Sequence, residues 1–342
     1  MTGDWMMSGW MMSGWMTGSV LAIAALLDFW IGDPWNWLHP VQVMGWVIGR
    51  YSQVALKTLK SPLLQRVAGV GLGLLLISGS GIAGWLLIVL GMNIHSWFGG
   101  AIASILLASC LAARSLRRAA TEVIEPLEKD DLQEARSRLS LYVGRDTDQL
   151  SREEILRAVF ETVTENAVDG IMAPLFYALV GAVLGQMITG GSLPGLSWSV
   201  ALALAFKASS TLDSMVGYRT VPYTDLGWFS ARTDDVLTWL PCRLTVLTIG
   251  VLSRRPRQVW SICRRDAPQD PSPNAGWSEC VYAAALRVQV GGTNVYRGQV
   301  KSKPILGDAD EPLAIAKVYA ALRLTRWTVL IWLTLGVTAL VV

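Results

Sequence analysis

Charge is scarce in this chain. Asp, Glu, Lys and Arg together make up 16% of its 342 residues, against about 25% in soluble domains. The deficit argues against the two soluble domains that length alone would suggest. Histidine occurs only at 39 and 95, in no HExxH pattern, which excludes the common zinc hydrolases. The four cysteines, at 110, 242, 263 and 280, form no CxxC pair and no zinc spacing, so neither a disulfide nor a metal framework is indicated. There is no Walker A sequence, so any ATP chemistry needs another phosphate cradle. A net charge of +3 is too small to imply nucleic acid as a partner. What fills the space is apolar. Hydrophobic residues reach 52%, with sixteen Trp and thirty-two Gly, and mean hydropathy is +0.40. Aromatic belts and close helix contacts favour that mixture in membranes. Intrinsic disorder, a collagen-like fibre and a disulfide-stapled mini-domain are excluded as well.

The missing charges are concentrated. Residues 67–113 hold no Asp, Glu, Lys or Arg in 47 positions, and residues 170–206 hold none in 37. A bilayer core of roughly 30 Å needs about 20 apolar residues per helix. Spans are therefore expected near 17–32, 67–90, 97–113, 171–189, 196–206 and 327–342. The first contains Asp28, which must face protein or water. Residues 236–252, carrying Pro241 and Arg243, are either re-entrant or spanning. The expected fold is an all-α polytopic membrane bundle, a single membrane domain over 17–342 behind a low-complexity tail at 1–16.

Loop charges orient it. Arg50, Lys57, Lys60 and Arg66 precede the first clear hairpin, and Arg114, Arg117 and Arg118 follow it, whereas the turn 91–96 and the loop 190–195 carry no charge. The positive-inside rule places 50–66, 114–169, 207–235 and 253–326 in the cytoplasm. That assignment leaves 236–252 unable to cross, which is the argument for a re-entrant segment.

Several motifs carry no chemistry. Trp-Met-Met-Ser-Gly recurs every five residues in the tail, a period of neither helix nor strand, and reads as an interfacial low-complexity segment. Gly79-Ser-Gly-Ile-Ala-Gly84 matches a dinucleotide fingerprint but has no preceding strand and no downstream acid, so it is a packing feature. Gly45/Gly49, Gly69/Gly73 and Gly181/Gly185 read as helix-contact pairs.

The polar islands are more informative. Most of 114–169, Arg136 included, reads as a solvated helical face broken at Glu125-Pro126. At its end Glu161, Glu165 and Asp169 recur at i, i+4, i+8, stacking like charges on one face, with Arg157 one turn earlier. A divalent cation or cationic ligand would account for them, and so would a water-filled vestibule. On a helix, Lys207, Ser210, Thr211 and Ser214 share a face suited to phosphate oxygens, unless Lys207 is an interfacial snorkel. Asp225, Arg232, Asp234 and Asp235 follow, a mixture that suits magnesium and phosphate. Pro268, Pro271 and Pro273 rigidify a loop running from Asp266. Asn274-Ala-Gly276 would start a helix whose N–H groups face an anion. Gly291–Gly298 is expected as a flexible polar loop. Together these form either a ligand surface or a connector.

These blocks carry a resemblance. Leu27-Asp-Phe-Trp-Ile-Gly-Asp-Pro34 with His39-Pro40, Glu165-Asn-Ala-Val-Asp-Gly-Ile-Met-Ala-Pro-Leu-Phe-Tyr177, Lys207 to Tyr218, Gly227 to Asp235 and Asp266 to Trp277 resemble the adenosylcobinamide-phosphate synthase family, in order, over about residues 20–340. One departure is local: Ser209 and Ser210 stand where Val and Asn are expected. The resemblance implies a cell (cytoplasmic) membrane enzyme of cobalamin synthesis. Such an enzyme joins (R)-1-amino-2-propanol phosphate, or the free amino alcohol, to the free propionate of adenosylcobyric acid, using ATP and Mg2+. Its implied partners are the corrinoid, the amino alcohol, membrane lipid and other cobalamin-pathway enzymes. A corrinoid permease and a non-catalytic scaffold are the rival classes, but transporters place substrate groups at the midplane, whereas here the polar groups crowd the cytoplasmic segments.

With that reaction in view, Glu165, Asp169 and Asp213 are the magnesium candidates, and Lys207, Arg219 and Arg232 the phosphate clamps. Asp225 or Asp235 is the candidate base. Asn166, Tyr218, Asp266, Ser272, Asn274, Trp277, Gly291 and Gly292 are assigned to substrate. The topology has a direct check. Cysteines introduced at Gln269 and within 189–193 should react with an impermeant thiol reagent from opposite sides of the membrane, and labelling from one side would overturn the orientation.

Overall fold

The computed structural model describes residues 3–32, 39–190, 195–218 and 220–341, with residues 3–12 described in backbone only. Arg219 and the Asp33-Pro34 part of the first family block lie outside the described residues. The elements are α1 (Gly3–Trp30), α2 (Pro40–Thr58), α3 (Pro62–Ile94), α4 (Ser96–Cys110), α5 (Ala113–Glu128), α6 (Leu132–Leu139) and α7 (Arg152–Ala167). A π turn at Val168–Met172 leads into α8 (Ala173–Thr189), then α9 (Gly195–Val216), α10 (Trp228–Leu252), α11 (Pro256–Asp266) and α12 (Ala275–Leu286). A hairpin, β1 (Val290–Tyr296) and β2 (Gln299–Leu306), precedes α13 (Ile315–Val341). Among the described residues, six helical stretches are long and apolar enough to cross a membrane: Ser13–Trp30, Pro62–Ile94, Ser96–Glu128, Arg152–Thr189, Trp228–Leu252 and Ile315–Val341. The protein is an all-α, multi-pass membrane protein.

Four expectations change. Residues 196–206 are not among those stretches; they belong to α9, most of whose residues are buried. Residues 236–252 are part of one continuous helix with Pro241 inside it. Proline lacks the N–H that would bond the carbonyl four residues back, and the Tyr177 hydroxyl donates to that Leu237 carbonyl at 2.9 Å instead. The orphaned acceptor is thereby satisfied, and the proline does not end the helix. Finally, the tail is helical from Gly3 onward. The expected break at Pro126 is also absent, since α5 runs on to Glu128.

Contacts divide the chain into two compact units where the sequence implied one domain. The first comprises 1–112, 173–237 and 331–342, the second 113–172 and 238–330. In the first unit α9 packs against α8, α3, α2 and α4. Its Leu196, Val200, Ala203, Leu204 and Ala208 join Val20, Leu21, Ile88, Leu107 and Ala178 in one apolar core. Asp28 is buried in the same unit, so it does not face lipid. The approach of these helices depends on glycine. A Cβ on Gly181 would overlap the Trp198 carbonyl, one on Gly69 the Leu226 carbonyl, and one on Gly73 the Phe229 ring. Gly14 in the tail and Gly18 just after it lie against the Leu340 carbonyl and the Val337 side chain. Gly49, by contrast, has nothing within 4 Å of its Cβ position.

In the second unit, α7 opens with a capping box in which Ser151 and Glu154 bond each other's backbone N–H, a strong start signal. The hairpin closes through Arg297 and Gly298, both at positive φ (50° and 74°), as a two-residue turn requires. Asp146 accepts both turn amides, from Arg297 at 2.9 Å and Gly298 at 2.8 Å. The expected flexible loop at 291–298 is therefore strand and anchored turn.

Gly181→Ala should lower the melting temperature in detergent, because overpacking a close contact costs about 1–3 kcal/mol. Gly49→Ala should leave it unchanged or raise it slightly, by about 0.5–1 kcal/mol of helix propensity.

Candidate active site

The second unit buries an unusual amount of charge in one place. Glu161, on α7, is 1% exposed and forms an ion pair with Arg145, itself buried. Its other oxygen accepts the Gly291 N–H at 3.0 Å. Arg145 also donates to Asn294 Oδ1 at 2.9 Å. Arg157 donates to the Gly291 carbonyl, to the Thr293 carbonyl at 3.0 Å and to Asn294 Oδ1 at 3.2 Å. Two arginines and one glutamate thus tie α7 to β1. Gly291 and Gly292, at φ 92° and 94°, form an irregularity in the hairpin register that turns the Gly291 N–H and carbonyl toward these side chains. Arg157 lies one turn before the α7 carboxylates in sequence, but the ion pair to Glu161 comes from Arg145.

One helix away, Glu279 of α12 is fully buried and paired with Lys303 of β2. Its Oε2 is buried without a hydrogen-bond partner among the described residues. Burial pushes the Glu279 carboxyl up to about 8, against the Lys303 charge and with the help of Glu165 and Glu161. Burial also works against the Lys303 ammonium, but Glu279, Glu165 and Glu161 outweigh it and raise its pKa above the usual lysine value. Three carboxylates therefore act on one ammonium. Glu165 is the member of this group with no hydrogen bond or ion pair among the described residues, and it is half-buried rather than sealed. The Ser278 hydroxyl, bonded to the Thr164 carbonyl at 2.5 Å, holds α12 to α7 beside it.

The remaining assignments in this unit fare differently. Asp169 falls in the π turn, whose wider winding takes it out of the regular i, i+4, i+8 stripe with Glu161 and Glu165. Asn166 is exposed and donates to the Thr162 carbonyl of its own helix at 2.8 Å. Asp266 lines no ligand surface: it is buried, held by Arg265 at 2.6 and 2.8 Å and by the Gly307 N–H at 2.9 Å. Burial alone would raise the Asp266 pKa, yet Arg265 and the Gly307 N–H bring it below the usual value. Ser272 Oγ accepts the Asn274 and Ala275 amides at 3.3 and 3.1 Å, so the start of α12 is capped by the chain itself. Asn274 is buried, and Arg243 donates to its Oδ1 at 3.4 Å. Trp277 lies under the same guanidinium, 4.3 Å from Cζ to ring centre. Arg136 donates to the Leu150 carbonyl at 2.9 Å, so it is not merely solvated.

In the first unit, Lys207 is half-buried on α9, and its ammonium has no partner among the described residues. The neighbouring hydroxyls turn back on their own helix, Thr211 to the Lys207 carbonyl at 2.7 Å and Ser214 to the Thr211 carbonyl at 3.0 Å. Asp213 packs against Gly217, where a Cβ would overlap its carboxylate. Tyr218 is exposed, 6.4 Å from Tyr223. Asp225 pairs with Arg66 at 2.8 Å, so it is not a free base. Arg232 is exposed without a partner among the described residues, and Asp235 is half-buried. Among the described residues no three His, Cys, Asp or Glu side chains stand together as a metal cage, so Glu165, Asp169 and Asp213 do not form one.

Comparison with known proteins identifies the lineage. The model of the CobD/Cbib protein family matches residues 21–325. The chain belongs to this family. A cobalamin biosynthesis protein CobD from Synechocystis sp. is 51% identical over 94% of this chain and 91% of its own. Cobalamin biosynthesis proteins CbiB from Salmonella arizonae and Salmonella typhimurium are each 40% identical over 88% of this chain and 91% of theirs. No solved structure matches.

Arg145, Glu279 and Lys303 were not singled out from the sequence. Glu279 had a signal: it lies among small and apolar residues in Ser-Glu-Cys-Val-Tyr-Ala-Ala-Ala, where a charge is out of place on a buried helix. Because its folded pKa is raised from 4.5 to about 8, the folded state holds a proton that the unfolded chain releases. Stability from this group is therefore present below about pH 4.5 and lost as pH rises to about 8. Glu279→Gln should flatten the fall in melting temperature between pH 5 and 8.5. The loss of a partner for Lys303 shifts both ends alike, so the slope is the readout.

Proposed function

We propose that this family member makes an amide bond in cobalamin biosynthesis. It joins the free propionate of adenosylcobyric acid to (R)-1-amino-2-propanol phosphate or the free amino alcohol, at the expense of ATP. The observation that carries this reading is Glu165, a carboxyl with no hydrogen bond or ion pair among the described residues, beside Glu161, Glu279 and Lys303. An amine substrate arrives as an ammonium, which must be held by negative charge and then lose a proton before it can attack. Glu165, half-buried rather than sealed, offers carboxyl oxygens that can accept from it. Glu279, with a carboxyl raised toward neutral pH by burial, has the proton affinity that such a transfer favours.

A carboxylate and an amine do not condense at neutral pH, because the oxyanion leaving group is too poor. Phosphorylation by ATP converts it to a phosphate leaving group. Such a step relies on positioning and charge neutralisation. Mg2+ bound with nucleotide takes only one or two protein carboxylates and otherwise water and phosphate oxygens, so it does not need a three-acid cage. In the first unit, Lys207 and Arg232, whose cationic groups have no partner among the described residues, keep their assignment as phosphate-binding cations.

Purified protein in detergent should release ADP only when corrinoid acid and amine are both present, with a product whose mass identifies the amine used. Glu165→Gln and Lys207→Ala should each lower turnover by about 10²–10³, while Lys129→Ala, an exposed residue at the end of α5, should match wild type. Uptake of corrinoid into proteoliposomes without amide product would support a permease instead.

A further inference from the structure

The segment after α10 carries five arginines in twelve residues, Arg254, Arg255, Arg257, Arg264 and Arg265. Two are engaged. Arg265 pairs with Asp266 and Asp308, and Arg255 donates to Gln258 at 3.2 Å and acts on Glu311. Arg254, Arg257 and Arg264 are exposed and make no hydrogen bond or ion pair with any described residue. Their placement is fixed by the fold. Arg254 turns the chain at φ 59°, and the Arg255 N–H bonds Ser253 Oγ at 3.2 Å. Pro256 comes within 3.6 Å of the Gly250 Cβ position, so α11 starts against the last turn of α10. Helix α11 is amphipathic. Val259, Ile262, Cys263 and Asp266 are buried, while Arg257, Trp260, Ser261 and Arg264 recur at i, i+3, i+4 and i+7 on the outward face. Trp260 is exposed, with its ring centre 5.5 Å from that of Trp277.

We propose that this outward face, with Arg254, Arg257, Arg264 and Trp260, binds the headgroup of an anionic phospholipid. A helix long and apolar enough to cross the bilayer ends at Leu252, so arginines two to twelve residues later stand at headgroup depth. Guanidinium forks match phosphate oxygens bidentately, and Trp favours the same interfacial layer. A free anion would satisfy the arginines equally but would leave the tryptophan and the adjoining span without a role. The proposal is independent of the reaction above.

The test uses the full chain in detergent, titrated with dioleoylphosphatidylglycerol or dioleoylphosphatidylcholine and read by native mass spectrometry. Wild type should retain the anionic lipid preferentially. R254Q/R257Q/R264Q should weaken that retention by on the order of tenfold or more, since each basic residue near an anionic surface contributes roughly fivefold. The corresponding triple Lys variant should keep most of it. Should the triple Gln variant lose its helicity or its melting transition, R257Q/R264Q carries the same test, because both side chains point away from the core. Unchanged lipid preference in the Gln variants would overturn the proposal. So would displacement of the lipid by inorganic phosphate, which would identify a free-anion site.

Discussion

The buried Arg145–Glu161 pair is the interaction on which the second unit's polar interior depends. Glu161 sits on α7 with essentially no exposure, and a carboxylate there is tolerable only because Arg145 and the Gly291 N–H satisfy it. Removing one partner of such a pair typically costs about 3–5 kcal/mol, since the other is left charged and desolvated. The same pair determines where β1 lies. Arg145 reaches Asn294, Arg157 grips the Gly291 and Thr293 carbonyls, and the hairpin adopts two positive-φ glycines to meet them. Once β1 is in place, β2 brings Lys303 to Glu279.

The resulting cluster is asymmetric in a way that bears on chemistry. Glu161 is satisfied by Arg145 and the Gly291 N–H, Glu279 is half satisfied and inclined to hold a proton, and Glu165 is half-buried with no hydrogen bond or ion pair among the described residues. Groups with one bond type and one burial depth would titrate alike. Here the differences in desolvation and pairing separate their behaviour, which is how a set of like residues acquires distinct roles.

The first unit depends on close approach rather than on charge. Glycines at 69, 73, 181 and 185 let helices meet where lipid offers no hydrophobic drive for association. The Tyr177 hydroxyl illustrates the other constraint of that environment. With no water to bond the carbonyl that Pro241 leaves unpaired, a side chain must do so.

Legibility in the sequence followed the range of the physics involved. Membrane class, helical fold, the spans at 67–90 and 97–113 and most glycine contact pairs were readable, because charge depletion and glycine spacing are local along the chain. The family blocks were readable for the same reason, as contiguous strings. The hairpin at 290–306 was not, since its glycines read as loop until Asp146 and Arg157, distant in sequence, are seen to hold them. Asp266 and Asp225 resembled site residues by type, yet Arg265 with Gly307 and Arg66 already satisfy them. Glu279 and Lys303 become partners only when α12 and β2 are folded together. Sequence alone marked which stretches are apolar enough for a membrane, because transfer free energy belongs to the residues themselves. Tertiary structure decided which charges are satisfied and which remain free, because pairing and desolvation depend on what lies opposite.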